Sequence, residues 1–273
     1  METIKIKSRD GTGLRLGRWG DGDRDVLLVH GLAEHAERYE HVGQALAARG
    51  WRVTVVELRG HGLSEGKRGH VNSWQDYLDD VTAALGTLGD TVALVGHSMG
   101  GLVVLSALAS AAPPAVLGAA VSNPLLGVRV KAPVIKVKAA RMLAALLPGL
   151  SLSNELDTKM ISRDPEVVAA YEKDPLVFST ITPRWFREMN DAIVSVREAA
   201  PRVSASIYLM VSEGDGICDP AAAREIVGSW AGPTQVSEYG ELYHELFNEP
   251  EKEQVIKDLG DWLEGLTPAP GQA

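Results

Sequence analysis

The chain has 273 residues, 45% of them hydrophobic, and a formal net charge of −9 at pH 7. This length and composition are typical of one globular domain carrying an insertion, and the negative charge argues against nucleic acid as a partner. The single cysteine, Cys218, permits no intramolecular disulfide, and the amino terminus lacks a signal-peptide pattern. We therefore expect a cytoplasmic protein, with peripheral membrane contact as an option.

Strand and helix patterns alternate along most of the chain. Two amino-terminal strands, 3–7 and 14–19, flank a turn that contains Asp10-Gly11, and short apolar strands then alternate with helices. The further strands are predicted at 26–29, 52–58, 92–95, 116–121, 206–212 and 234–239, and helices at 37–49, 73–88, 102–111 and after Pro250. This order predicts an α/β fold with a mostly parallel sheet, which binds ligands beyond the carboxyl ends of its strands.

The alternation stops between residues 124 and 201, which we call the cap segment. It carries helical patterns at 133–147, 165–173 and 183–197 and no convincing buried strand. We therefore predict a core domain formed by residues 1–123 and 202–273, with the helical cap segment inserted over the carboxyl edge of the sheet.

The first part of the cap segment is basic and apolar, although the whole chain is acidic. No acidic residue occurs between Asp90 and Glu155. The basic residues are Arg129, Lys131, Lys136, Lys138 and Arg141, and a neighbouring apolar arc is formed by Ile135, Met142, Leu143 and Leu146. Such a surface suits transient docking on lipid. An equally good interpretation is that the arc packs on the core while the lysines are solvated.

The pentapeptide Gly96-His97-Ser98-Met99-Gly100 follows an apolar strand and precedes a helix. In this setting Gly-x-Ser-x-Gly predicts a nucleophile elbow, because the residues two before and two after the serine must lack bulk. The side chain of Ser98 would then stand at the carboxyl edge of the sheet, where a substrate can reach it.

Two candidate partners for the serine follow later strands. Asp215 comes directly after the strand 206–212, with Asp219 as a rival acid, and His244 follows the last strand. The order serine, acid, histidine is that of α/β-hydrolases. In this hypothesis His244 accepts the proton of Ser98, and Asp215 fixes the tautomer of the imidazole.

An oxyanion hole needs two backbone N–H groups, and Met99 and Leu32 are the predicted donors. His30 is expected to brace the loop that carries Leu32. Cys218 lies three residues past Asp215, and two interpretations have similar weight: it lines the pocket, or it is a small buried hydrophobic residue. No His/Cys/Asp/Glu cluster has metal-ligand spacing, so we expect neither a metal nor a cofactor.

The segment from His30 to Tyr39, HGLAEHAERY, resembles the HGxxEHxxRY signature of monoacylglycerol lipases and their bacterial lysophospholipase-like relatives. Other blocks that resemble this family are 59–66, 96–101, 147–152, 171–176 and 215–219. The resemblance implies an α/β-hydrolase fold with a lid, the catalytic set Ser98, Asp215 and His244, and the oxyanion donors Leu32 and Met99.

The resemblance also implies that Glu34, Arg38 and Tyr171 hold the glycerol moiety. From spacing alone, Glu34 and Arg38 could instead form a surface ion pair at a helix start. The chain departs from the family at Glu57, where aspartate is usual, at Ser212, where glycine is usual, and at Phe247, where the mammalian enzymes have a second histidine.

The resulting expectation is a serine hydrolase that cleaves a monoacylglycerol through an acyl-enzyme, with a small lipid ester as its partner. The alternatives are a lysophospholipase or a general carboxylesterase of the same fold, and, from another class, a noncatalytic small-molecule receptor on a hydrolase scaffold.

Overall fold

An eight-stranded, mostly parallel sheet forms the centre of the computed structural model, which describes residues 1–110, 116–129 and 144–266. In chain order the strands are β1 (Glu2–Lys7), β2 (Gly13–Trp19), β3 (Arg24–Val29), β4 (Trp51–Glu57), β5 (Val92–His97), β6 (Val116–Ser122), β7 (Leu152–Ser153), β8 (Thr180–Ile181), β9 (Ser206–Val211) and β10 (Thr234–Glu238). The spatial order of the sheet is β1-β2-β4-β3-β5-β6-β9-β10. Among the described strands of this sheet, antiparallel pairing is confined to β1 with β2 and β2 with β4. The predicted α/β fold is confirmed.

Helices cover both faces of this sheet. They are α1 (Glu40–Ala47), α2 (Trp74–Leu85), α3 (Met99–Ala109), α4 (Pro165–Lys173), α5 (Pro183–Ala199), α6 (Pro220–Gly228) and α7 (Lys252–Gly265). One hydrophobic cluster joins the sheet to α2, α3, α5 and α6, and a second joins it to α1 and α7. The adjacent residues Leu27 and Leu28 of β3 are fully buried in different clusters. A slip of one residue in this strand would exchange the two faces, so burial fixes its register.

The nucleophile region differs in one detail from the prediction, because α3 begins at Met99 and not at residue 102. Gly100 and Gly101 are therefore inside the first turn of the helix, where their small size allows close approach to neighbouring backbone. Helix propensity disfavours glycine by about 1 kcal/mol per residue, so here packing outweighs propensity.

The cap segment connects β6 to β9. Helices α4 and α5 confirm two of its predicted helices, and each begins with proline after a capping side chain, from Asp164 and Thr182 respectively. The two-residue strands β7 and β8 form a small antiparallel two-stranded sheet that no sequence pattern predicted. Most of the predicted helix 133–147 lies outside the described residues, and the cap boundaries remain a prediction. In the described ranges no helix is long and apolar enough to cross a membrane.

Candidate active site

Ser98 occupies a strained turn between β5 and α3. Its φ of 52° and ψ of −118° are rarely adopted by residues other than glycine. A Cβ atom on Gly96 would lie 2.5 Å from the carbonyl oxygen of Gly100, and one on Gly100 would lie 2.0 Å from that of Val29. Glycine is therefore required on both sides of the serine, as the elbow prediction demands.

The structure brings Ser98, Asp215 and His244 together from three loops at the carboxyl edge of the sheet. The Nε2 atom of His244 lies 2.9 Å from Ser98 Oγ, and its Nδ1 atom lies 2.8 Å from Asp215 Oδ2. All three residues are buried. The rival acid, Asp219, instead caps the start of α6 by accepting the N–H of Ala221. These distances allow proton transfer from the serine to the imidazole.

The charge of Asp215 is stabilised by its surroundings. Burial opposes its ionisation, but the neighbouring His244 and the N–H groups of Ile217 and Cys218, both on Oδ1, keep the pKa of Asp215 below its ordinary value. Burial also acts against the charged form of His244, yet the charge and hydrogen bond of Asp215 raise the pKa of His244 above 6.5. The imidazole is therefore a stronger base than a free histidine.

His97 contacts the catalytic imidazole from the strand side. The centroids of the His97 and His244 rings lie 4.8 Å apart. Burial, together with the nearby His244, lowers the pKa of His97 to about 4. His97 is thus neutral at pH 7, and it adds no positive charge beside the imidazolium that forms during proton transfer.

Leu32, one of the two predicted oxyanion donors, lies in a loop braced by His30. The Nδ1 atom of His30 donates to the carbonyl oxygen of Gly31 at 2.7 Å, and its Nε2 atom accepts the N–H of Leu58 at 3.1 Å. The bracing role predicted for His30 is confirmed. Met99 is the first residue of α3, and the oxyanion role of both amides remains a prediction.

Glu34 and Arg38 form a buried pair, so the interpretation as a surface ion pair is wrong. Arg38 Nε lies 3.1 Å from Glu34 Oε2, and the two side chains are 9% and 3% exposed. The other oxygen of Glu34 accepts the N–H of Gly31 and the hydroxyl of Tyr39. Burial opposes the charge of Glu34, but His97, Arg38 and these donors lower its pKa to about 2. The ring of Tyr171 lies 4.7 Å from the Arg38 guanidinium carbon.

Glu245 completes this polar cluster and was missed by the sequence analysis. Its Oε2 atom accepts hydrogen bonds from Arg38 Nη2 and from Asn248 Nδ2. Burial raises the pKa of Glu245, with Glu34 adding to the effect and Arg38 acting against it. The only available signal was its position directly after His244, which many surface loops share.

A cavity of about 190 Å³ connects these groups. Ser98 and His244 line it together with the polar residues Glu34, Tyr171 and Glu245. The rest of its described wall is mostly apolar, with Leu32, Leu125, Val128, Leu156, Ile161, Ile181, Trp185, Phe186, Met189 and Ile217. Cys218 is buried but is not among the lining residues. The structure thus agrees with the second interpretation of Cys218, a small buried side chain, while its neighbour Ile217 lines the cavity.

Asp215, Cys218 and His244 have potential metal-binding atoms within 4.8 Å of one another. Both oxygens of Asp215 and both nitrogens of His244 are already used in hydrogen bonds. Burial raises the pKa of Cys218 well above its ordinary value, so the residue is a thiol and not a thiolate ligand. The chemistry of this donor set fits a proton relay better than a metal centre.

A sequence model described as "Serine aminopeptidase, S33" matches residues 21–251, which include the cap segment. The chain belongs to this α/β-hydrolase family. Among similar proteins, a monoacylglycerol lipase of Mycolicibacterium smegmatis is 34% identical over 248 residues, which cover 87% of each chain. Phospholipase YtpA of Bacillus subtilis is 30% identical and covers 85% of this chain and 92% of its own.

The family assignment extends to solved structures. A monoacylglycerol lipase of Paleococcus ferrophilus superposes with a TM-score of 0.87 at 32% sequence identity, covering 97% of this chain and 99% of its own. Some relatives are named monoacylglycerol lipases and one is named a phospholipase. The choice between a monoacylglycerol and a phospholipid as substrate depends on the chemistry of the cavity.

Proposed function

We propose that the protein hydrolyses the ester bond of monoacylglycerols through an acyl-enzyme, with Ser98, His244 and Asp215 as its catalytic residues. The observation that carries this proposal is one cavity that contains a Ser98–His244 hydrogen bond, a polar end and an apolar wall. A monoacylglycerol has the same three parts: an ester, a diol and an acyl chain.

In the first half-reaction, Ser98 Oγ attacks the ester carbonyl carbon while its proton moves to His244 Nε2. The carbonyl oxygen becomes negative and faces the amides of Leu32 and Met99, each worth about 3 kcal/mol of transition-state stabilisation. The bond from this carbon to the glycerol oxygen then breaks, and His244 returns the proton to that oxygen. In the second half-reaction, water gives a proton to His244 and attacks the carbonyl carbon of the acyl-serine. The bond from this carbon to Ser98 Oγ then breaks, His244 returns the proton to Oγ, and the fatty acid is released.

The polar end favours a neutral headgroup over a phosphodiester. Arg38 is the cation of the cluster, and it is bonded to Glu34 on one side and Glu245 on the other. Neither lysine nor arginine occurs among the described residues that line the cavity. A phosphate would therefore meet two carboxylates without an available counter-charge, which disfavours a lysophospholipid.

The same cluster argues against an aminopeptidase, although the family is described by that name. A substrate ammonium group requires carboxylates that are free to pair with it. Glu34 is fully engaged by Gly31, Tyr39 and Arg38. Glu245 shares the charge of Arg38, which leaves its Oε1 as a single acceptor. We therefore expect hydrolysis of neutral esters, with little turnover of substrates that carry a free amino terminus.

The decisive experiment compares kcat/KM for a monoacylglycerol, a lysophosphatidylcholine and a p-nitrophenyl ester of one acyl chain, with an aminoacyl anilide as a fourth substrate. We expect the monoacylglycerol to be preferred over the lysophospholipid. Equal or faster turnover of the lysophospholipid would overturn the assignment.

Ser98→Ala should lower kcat by about 10⁶ and abolish labelling by a fluorophosphonate probe. A wild-type protein that resists this probe would favour a noncatalytic receptor.

We also propose that part of the cap segment contacts lipid surfaces. Leu146, Leu147, Leu150 and Leu152 are 69%, 53%, 42% and 40% exposed. Of the basic and apolar residues predicted to dock, Lys131, Ile135, Lys136, Lys138, Arg141, Met142 and Leu143 lie outside the described residues. The four exposed leucines form a short apolar stretch that could enter a lipid interface.

A further inference from the structure

Two buried carboxylates, Glu34 and Glu245, lie at the polar end of the cavity, and they differ in how their oxygen atoms are used. Glu34 Oε1 accepts two hydrogen bonds, from Gly31 N–H and the Tyr39 hydroxyl, and its Oε2 accepts one from Arg38. Both hydrogen bonds to Glu245 go to Oε2. Its Oε1 has no hydrogen-bond partner among the residues that the structure describes.

We propose that Glu245 Oε1 accepts a hydrogen bond from a free hydroxyl group of the glycerol moiety, so that Glu245, and not Glu34, is the carboxylate that selects for polyol esters. This inference rests on the proposed function. Glu245 lines the cavity, and a carboxylate oxygen without a donor in a buried site favours a ligand that supplies one.

The position of Glu245 places this acceptor on the leaving-group side of the reaction. His244 must reach the glycerol oxygen in order to protonate it, and Glu245 is the next residue in the chain. Burial and Asp215 dominate the pKa of His244, but the charges of Glu245 and Glu34 also raise it, as expected for carboxylates close to the imidazole. The glycerol hydroxyls are therefore near Glu245 when the ester bond is at Ser98.

The backbone of this loop is held in place from the cap segment. Glu245 N–H donates to the carbonyl oxygen of Ile161 at 2.8 Å, and His244 N–H donates to that of Met160 at 3.3 Å. With Arg38 and Asn248 fixing Oε2, the carboxylate plane has little freedom. A preorganised acceptor of this kind discriminates strongly against analogues that lack the hydroxyl.

Glu34 has a different role in this interpretation, as a positioning residue. Its hydrogen bond to Gly31 N–H holds the loop that carries Leu32. Loss of this bond should slow hydrolysis of every ester, whatever its alcohol, because the loop supplies a predicted oxyanion donor. The two glutamates can therefore be separated by the alcohol part of the substrate.

The test compares a monoacylglycerol with the propyl ester of the same fatty acid, which has no free hydroxyl group. In Glu245→Gln, the amide oxygen must take the Oε2 position to satisfy Arg38 and Asn248, so an NH₂ donor replaces the Oε1 acceptor. We expect the ratio of kcat/KM for monoacylglycerol to that for propyl ester to fall about tenfold or more. Glu34→Gln should lower both rates by similar factors and leave this ratio in place.

Glu249→Gln is the matched control for the loss of a buried carboxylate. Glu249 lies in the same loop, is fully buried and pairs with Arg163, but it does not line the cavity. Its variant should lose stability and keep the wild-type ratio. Monoesters of 1,2-propanediol and 1,3-propanediol each keep one of the two free hydroxyl groups of a monoacylglycerol. The ester without the hydroxyl group that Glu245 binds should show no change of kcat/KM in Glu245→Gln.

Each outcome distinguishes this inference from the proposed function. A wild-type enzyme without preference for the monoacylglycerol over the propyl ester would overturn both. A wild-type enzyme with that preference, combined with an unchanged ratio in Glu245→Gln, would overturn only the role of Glu245. A larger fall of the ratio in Glu34→Gln than in Glu245→Gln would return the hydroxyl contact to Glu34.

Discussion

The imidazole of His35 and the carboxylate of Asp174 lie 2.8 Å apart and join the core to the cap segment. His35 follows the loop that carries Leu32, and Asp174 is the residue directly after α4. A second contact, from Phe178 N–H to the carbonyl oxygen of Ala33, lies beside this pair. The loop that carries Leu32 is thus attached directly to the cap segment.

This pair of residues should stabilise the packing of the cap segment against the core domain. His35→Ala and Asp174→Ala, combined in a double-mutant cycle, should show a coupling free energy of about 1–2 kcal/mol, since the bond is largely buried. Both single variants should raise KM and speed proteolysis within the cap segment. The measurements are urea unfolding, steady-state kinetics and limited proteolysis.

The matched control is the ion pair between Arg197 of α5 and Glu225 of α6, which also joins the cap segment to the core. Both side chains are exposed, at 44% and 64%, so solvent screens their attraction and the pair should show no measurable coupling. If the two cycles gave equal coupling free energies, the role assigned to the His35–Asp174 contact would be wrong.

The pH dependence of kcat/KM should report the raised pKa of His244. The imidazole must be neutral to accept the serine proton, so activity rises with pH through its pKa. Because Asp215 raises that pKa, the acid midpoint should lie above 6.5. Asp215→Asn should move the midpoint to lower pH and reduce kcat by about 10⁴.

Asp219→Asn is the control for this profile. Asp219 caps α6 and has no hydrogen bond to His244 in the described structure, so its variant should keep the wild-type midpoint. A midpoint that stays in place in Asp215→Asn would show that another group governs the acid limb.

Gly100→Ala should destabilise the fold as well as the active site. The added Cβ would lie 2.0 Å from the carbonyl oxygen of Val29 and 2.5 Å from that of His30. Both are backbone atoms, so no side-chain rotation relieves the clash. We expect the free energy of unfolding to fall by about 1–3 kcal/mol, measured by urea denaturation, with loss of esterase activity.

Gly228→Ala provides the comparison, because Gly228 ends α6 and a Cβ there would meet nothing within 4 Å. Its stability should be unchanged or slightly raised. If Gly228→Ala lowered the free energy of unfolding as much as Gly100→Ala, the backbone contact at Gly100 would not be the reason that glycine is required there.

The positions of Ser98, Asp215 and His244 at one edge of the sheet were predictable because each residue belongs to a local pattern. Ser98 is fixed by the elbow motif, and Asp215 and His244 follow strands whose apolar runs are visible in the sequence. The prolines that begin α4 and α5 made those helices predictable as well. In these cases, short-range signals and strand order are enough to place a residue at the sheet edge.

Contacts between distant residues could not be predicted in this way. Glu245 meets Arg38 across 207 positions of sequence, and nothing local distinguishes it from an exposed loop glutamate. Phe247, one of the departures from the family, is buried with its ring centroid 6.5 Å from that of Tyr39 and does not line the cavity. Which of two neighbouring side chains reaches a cavity depends on backbone direction, and composition carries no information about it.

Exposed leucines of the cap segment should matter only for substrates presented at a lipid surface. Replacing Leu146 and Leu147 together by serine removes two large apolar side chains that are 69% and 53% exposed. Each contributes up to about 2 kcal/mol when it leaves water, so turnover of monoacylglycerol in anionic vesicles should fall about tenfold or more. Hydrolysis of a water-soluble p-nitrophenyl ester should stay near the wild-type rate.

Val236→Ser is the control, since Val236 is 47% exposed on the edge strand β10, outside the cap segment. Equal losses on both substrates, or an equal loss in the Val236 variant, would assign these leucines to folding and not to lipid contact.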